Sequence, residues 1–126
     1  MLPLIHLYFF VSQQSLTWAL VVPTYQRQNV LLRCLRLAAQ QSWLAKEIIV
    51  VDASDNWTET HSKIMQGLAL EYPAIDWQHV HARALSSAIQ RNQGIELATA
   101  DIIFLIDDDA LMYPDCAETV MDIYCR

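Results

Sequence analysis

The stretch Ile102-Ile103-Phe104-Leu105-Ile106-Asp107-Asp108-Asp109 is a run of five apolar residues that ends in three consecutive carboxylates. A strand apolar at every position, rather than at alternate ones, belongs to a sheet covered on both faces, which is the usual condition of a parallel sheet. Working back from it, Ser86 to Ala98 has the length and composition of a helix, with Ile89, Ile95 and Leu97 as its apolar carriers and Gly94 as a blemish. Further upstream, WALVV (Trp18 to Val22) reads as a buried strand stopped by Pro23, and EIIVV (Glu47 to Val51) as a second one, ended by Asp52-Ala53-Ser54-Asp55-Asn56. Ile75 to Val80 is a weaker, alternating strand.

Helical signals fill the gaps. From Asn29, an N-cap residue type, Leu31, Leu35 and Ala38 recur at i, i+4 and i+7, giving an amphipathic helix to about Gln41. Thr58 is in position to cap a second helix with Ile64 and Leu68 inward, ending before Pro73; Pro114 and Asp115 open a last amphipathic segment to Arg126. Strands alternating with helices specify an α/β fold with a mostly parallel sheet and flanking helices. Such sheets bind ligands outside the carboxyl ends of their strands. Four segments therefore become candidates: Pro23 to Arg27, Asp52 to Asp55, His81 to Ser87, and Asp107 to Asp109.

Composition narrows the function. The 126 residues are 54% hydrophobic and 17% charged, which excludes disorder, coiled coil and nucleic-acid tails. The net charge of -6 is uneven: residues 1–51 hold one acid against four bases, residues 52–126 thirteen acids against four bases. A basic, phosphate-tracking surface is not expected, and nucleic acid is not an expected partner. Only two glycines occur, so a glycine-rich phosphate loop is excluded. Three cysteines without a CxxC, and four histidines off zinc spacing, fit a reduced, cytoplasmic protein. The apolar start MLPLIHLYFFV lacks a basic n-region and a small-residue cleavage site; residues 1–17 read as an extension of uncertain role, with an extra strand, or non-native sequence added from an upstream start codon, preferred over a targeting segment.

The candidate residues each carry two readings. Adjacent carboxylates at Asp107, Asp108 and Asp109 repel one another and raise each other's pKa unless a cation is present; the choice is a hard divalent ion such as Mg²⁺ or a solvated acidic loop. Asp52 at a strand tip suits hydrogen bonds from a ribose or base, or serves a turn. Pro23, Tyr25 and Arg27 offer a strand stop, a stacking ring and a charge for a diphosphate, or an ordinary turn into a helix. Arg91 and Asn92 are set to pair with phosphate or the aspartates, or are an exposed helical pair.

Taken in order, VVPTYQR, EIIVVDAS and QRNQGIELATADIIFLIDDD resemble the N-terminal half of family 2 glycosyltransferases of the GT-A type, whose pattern runs roughly VPTYNR, EIIVVDDGS and ARNxGIxxAxGDxIxFLDDD. The resemblance covers about Trp18 to Asp115. It implies a Rossmann-like sheet, and a nucleotide-diphosphate sugar as partner, with Mg or Mn as the metal. On that likeness Pro23, Tyr25 and Arg27 line the nucleotide pocket, Asp52 accepts a base N–H, and Arg91 and Asn92 lie near the donor. Asp109 is then the metal ligand, with Asp107 second, and Asp107 or Asp108 nearer the ribose. Transfer would invert the anomeric carbon. Two departures stand out: Asp52-Ala53-Ser54 lacks the pattern's second acid and glycine, and Ala98 to Asp101 lacks a glycine in its turn.

The resemblance implies a further hundred residues or so holding the acceptor site and base. Residues 18–126 are thus expected to be the donor-binding portion of a truncated domain, with the catalytic base and the acceptor unknown. Asp115, Glu118 and Asp122 carry no base motif. The competing expectation is a catalytically inactive nucleotide- and metal-binding module. A phospho-receiver domain is set aside, because it needs acids at the end of its first strand, where PTYQR stands. The expected location is cytoplasmic, or the cytoplasmic face of a membrane.

Overall fold

The computed structural model describes residues 16–125. The reading of the apolar start as an extra strand falls on residues 1–15, outside the described residues. The elements in chain order are β1 (Trp18–Thr24), α1 (Gln28–Ala39), β2 (Glu47–Asp52), α2 (Trp57–Lys63), a π-helical turn (Ile64–Leu68), α3 (Ala69–Glu71), β3 (Asp76–His81), α4 (Ser87–Leu97), β4 (Ile102–Leu105) and α5 (Cys116–Tyr124). The strands form one parallel sheet in the order β3-β2-β1-β4. The chain builds outward from β1 to β3 and then crosses back to the other side of β1. That reversal makes the carboxyl ends of β1 and β4 the switch point where such sheets bind ligands.

Strand alternation divides the core. Trp18, Leu20, Val22, Ile48 and Val50 pack with Leu31, Leu35, Ala38, Ile64, Ala117 and Met121 on one face. Val21, Ile49 and Val51 point to the other face, against Leu97, Ala98 and Ile103. Every residue of β1 and β2 is buried, as expected of central parallel strands. β4, by contrast, is an edge strand among the described residues, half-buried, with Leu105 46% exposed. The apolar run alone did not distinguish an edge from a centre.

Pro23 does not stop β1, which runs on to Thr24. The odd-numbered residues of β1 face β4, as the Ile102 N–H to Thr17 O and Ile106 N–H to Val21 O bonds show. β4 pairs only with Trp18 to Val21, so the missing N–H of Pro23 falls beyond its end and breaks no ladder bond. The helix starts also shift. α1 begins at Gln28 with Arg27 in the cap position, and α2 at Trp57 after Asn56, neither with a side-chain cap bond. Ser86 caps α4 by accepting from Ile89 N–H.

The inner face of α4 differs most from its apolar pattern. Ile89 and Ile95 are 44% and 38% exposed, while Gln90, Gln93 and Gly94 are buried. Gly94 is where the helix meets the sheet: an added Cβ would overlap Val21 Cγ1. The glycine-poor turn after α4 is held by Glu47, whose buried carboxylate accepts from the Thr99 and Ala100 N–H groups.

A stack of aromatic rings fastens α2 to β3. Trp57 lies over His61, His79 and His81 with centroids 4.4, 4.6 and 3.9 Å apart. His79 Nε2 lies 2.8 Å from Asp52 Oδ2, and His79 Nδ1 lies 3.0 Å from His61 Nδ1. An ionised carboxylate only accepts, so His79 donates from Nε2 and its Nδ1 lone pair receives the His61 N–H. Burial, with the neighbouring His79 and His81, holds the His61 pKa below its usual 6.5. Burial alone would raise the Asp52 carboxyl, but hydrogen bonds from His79 and Ser54 outweigh it and leave the pKa below 3.8.

Two outcomes are expected. Gly94→Ala should destabilise by about 1–3 kcal/mol through overpacking on Val21, whereas Gly67→Ala, in open space, should stabilise by up to about 1 kcal/mol; urea unfolding of the two variants reads both. Both the His61 and the Asp52 pKa are lower folded than unfolded, so stability is full at higher pH and falls on acidification in two steps. The first step lies below pH 6.5 and the second below pH 3.8. Unfolding free energy measured across that range should lose the upper step in His61→Gln and keep the lower one.

Candidate functional site

A cavity of about 330 Å³ opens at the switch point, lined by Pro23, Thr24, Tyr25 and Arg27 from the end of β1, by Leu85, Ser86, Ser87 and Gln90 from the start of α4, and by Asp107, Asp108 and Asp109 after β4. Three of the four strand-end segments expected from the sequence meet here. The fourth, Asp52 to Asp55, does not line the cavity.

Asp108 is the buried member of the aspartate run. Its Oδ2 accepts from Thr24 Oγ1 at 2.9 Å and from Arg27 Nε at 3.2 Å, and its Oδ1 pairs with Arg27 Nη2. Arg27 also lies 3.6 Å from Asp109. These bonds, the one to Asp108 first, raise the Arg27 pKa above its usual value. On the opposite side Arg91 pairs with Asp107 at 2.7 Å and is steadied by Ser87 Oγ at 2.8 Å. Two arginines thus flank the three carboxylates that the sequence alone leaves mutually repelling. Cys34 lies beneath, its Sγ 3.8 Å from the Asp107 carbonyl; burial, then the charges of Asp108 and Asp109, push its thiol up to about 12, so it is no nucleophile.

The metal expectation rests on donor chemistry alone. Among the described residues there is no group of three or more His, Cys, Asp or Glu side chains poised to hold an ion. Asp108 is committed to Thr24 and Arg27, but Asp107 and Asp109 keep exposed carboxylates, 65% and 59% accessible. One or two carboxylates completed by water and phosphate oxygens are what Mg²⁺ takes, so the residues fit such an ion.

Asn92 is exposed and outside the cavity, one position around the helix from Arg91. Asp52 is buried on the face of α1 and α2, following the parity of Ile48 and Val50. Both its oxygens are used, by the Ser54 N–H at 2.8 Å and by His79. The turn holds without the glycine of the family pattern because Gln26 clamps it. Gln26 adopts the left-handed region at φ 54°, its N–H bonded to Ser54 Oγ at 2.6 Å, its side chain exchanging two bonds with Asp55. Such a backbone costs on the order of 1 kcal/mol and persists only when its surroundings hold it.

Gln90 is the cavity residue absent from the sequence reading. It is 3% exposed, and its Nε2 donates to Thr24 O at 3.1 Å and Val51 O at 2.9 Å. Three positions on, Gln93 bonds His81 O and the Arg83 N–H, fixing the loop that carries Leu85 and Ser86. The available signal was polar residues at i and i+3 on a helix whose apolar pattern was thin.

Comparison with known proteins bears on the fold and the family. YibD of Escherichia coli (strain K12), an uncharacterized glycosyltransferase, is 29% identical over 103 residues, 82% of this chain and 29% of that protein. Among solved structures, a mannosyltransferase from Pyrobaculum calidifontis in complex with GDP-Man and Mn²⁺ matches 98% of this chain and 39% of its own, with a TM-score of 0.71 at 21% identity. S. aureus TarS 1-349 in complex with UDP matches 85% of this chain and 31% of its own, with a TM-score of 0.65 at 18% identity. The chain therefore spans about a third of the proteins it matches, and the two structures carry the fold. The model of the family described as glycosyl transferase family 2 matches residues 19–126, nearly the whole described chain, and the protein belongs to that family.

Proposed function

We propose that the cavity binds the nucleoside diphosphate of a nucleotide-sugar donor together with a divalent ion, as the donor-binding portion of an enzyme that transfers the sugar to an acceptor. The observation that carries this reading is the convergence, at the switch point, of an exposed tyrosine ring, an arginine and two accessible carboxylates around 330 Å³ of space. Tyr25 is the stacking surface for the base, beside Pro23. Arg27 serves the diphosphate, and Arg91 holds Asp107 in position. Asp109, with Asp107, takes the ion, and Asp108 orients Arg27. The ion, when bound, supplies charge neutralisation for the leaving nucleotide. Asn92 lies at the margin, with a supporting role at most.

The other reading, a module that binds nucleotide without transfer, has one observation in its favour. Among the described residues the only acids lining the cavity are Asp107, Asp108 and Asp109. A general base must come within hydrogen-bond reach of the acceptor hydroxyl. Asp115 and Glu118 lie at the start of α5, where Glu118 bonds Ser42. Binding and transfer are therefore separate claims for this chain. No helix among the described residues is long and apolar enough to cross a membrane.

The binding claim is tested by thermal unfolding with UDP, GDP and dTDP, each with and without Mn²⁺ or Mg²⁺. At one hundred times Kd, binding adds about 2.7 kcal/mol, which raises the midpoint by several degrees. Asp109→Ala should remove the metal-dependent part, and Asp115→Ala should leave it intact. A folded chain that shows no shift with any nucleotide and metal would overturn the reading.

A further inference from the structure

We propose that Gln90, rather than Asp52, reads the nucleobase, its side-chain Oε1 accepting the imino N–H of a uracil, thymine or guanine ring. The inference rests on the nucleotide reading of the cavity and names the residue that selects the base within it.

The orientation of the Gln90 amide is fixed by its partners. Both hydrogens of Nε2 are engaged by carbonyl oxygens, Thr24 O at 3.1 Å and Val51 O at 2.9 Å. The flipped amide would set Oε1 against the same two carbonyls, acceptor against acceptor, so the network excludes it. Oε1 is thereby the one polar group Gln90 has left to offer the cavity it lines. Among the described residues Oε1 has no hydrogen-bond partner, and it is not one of the buried atoms left unsatisfied, so it is open toward the cavity, where a ligand N–H would pair with it.

Asp52 is in the opposite condition. Its two oxygens are bonded to Ser54 N–H and His79, its side chain is sealed on the face of α1 and α2, and it does not line the cavity. Gln90, in turn, stands between the carboxyl ends of β1 and β2 and lines the same cavity as Tyr25, the ring on which a base would stack. The sequence pattern carries alanine at this place, so the glutamine adds a polar group where the pattern has none.

A fixed acceptor discriminates by what faces it. Uracil and thymine N3–H and guanine N1–H donate, whereas cytosine N3 and adenine N1 are themselves acceptors and are refused. A site built to pair a buried polar group rejects a ligand lacking the complement more strongly than an apolar pocket rejects a misfit.

The test is isothermal titration of the 126-residue chain, in Mn²⁺, with UDP and GDP against 3-methyl-UDP and 1-methyl-GDP, in which the imino hydrogen is replaced by methyl. The wild-type chain should bind the better of UDP and GDP at least about tenfold more tightly than its methylated counterpart. Gln90→Ala should bind both forms within about twofold of one another, and Asp52→Asn should keep the wild-type ratio. Should Gln90→Ala fail to fold, Gln90→Met fills the same length without the acceptor, and the Asp52→Asn ratio decides independently. Loss of the ratio in Asp52→Asn, or its retention in Gln90→Ala, overturns the proposal, as does a wild-type chain that binds both forms alike. A folded wild-type chain that binds none of the four nucleotides overturns the nucleotide reading itself, a result distinct from all of these.

Discussion

The interaction on which the site depends is the one between Arg27, Thr24 and Asp108. It joins the end of β1 to the end of β4 across 81 positions of sequence, at the place where the strand order reverses among the described residues. The physical constraint behind it is charge. Three consecutive carboxylates follow β4, and the middle one, Asp108, is buried. A buried carboxylate without partners would be strongly unfavourable. Arg27 and the Thr24 hydroxyl supply those partners, and the residue after β1 must therefore lead the chain toward Asp108. The left-handed Gln26, clamped to Ser54 and Asp55, is the bend that makes this direction available.

The same constraint explains why the two outer aspartates remain open. Arg27 reaches Asp109 only at 3.6 Å, and Arg91 meets Asp107 from the far side, so neither carboxylate is enclosed. Neutralisation by arginine from both flanks leaves oxygen atoms facing solvent at the mouth of the cavity. That is an arrangement open to a hydrated ion and closed to a dry structural one. Cys34 beneath it is kept protonated by burial and by these same charges.

How much of this was legible depends on whether the deciding contact was local. β1 and β2 were read as buried strands, though short of their carboxyl ends, because both faces of each are covered, which leaves a continuous apolar run in the sequence. β4 has the same kind of run but lies at an edge of the described sheet, and burial on both sides is not a property the run itself encodes. Arg27, Arg91 and the aspartates were legible as residue types at strand ends; their pairing was not, since the partners are 16 and 81 positions apart. His79 gave no signal at all. Its meaning lies in Asp52, 27 positions before it, and in His61, 18 before it.

The inner stripe of α4 shows why hydrophobic pattern misleads at a ligand-binding edge. A helix crossing a parallel sheet begins above the carboxyl ends of the strands and finishes over their middle. At its start it faces strand-end carbonyls, of which Thr24 O also accepts the Ala53 N–H; lower down it faces Val21 and Val51 side chains. The first part of the stripe should therefore be polar donors and the last part small or apolar. Gln90 donating to Thr24 O and Val51 O, Gln93 donating to His81 O, then Gly94 against Val21 and Leu97 in the apolar cluster follow that order. A periodicity count that admits only apolar residues rotates this helix and brings Ile89 and Ile95 inward, the very residues the structure leaves exposed. Gln90, the first polar residue of the stripe, is the one that lines the cavity.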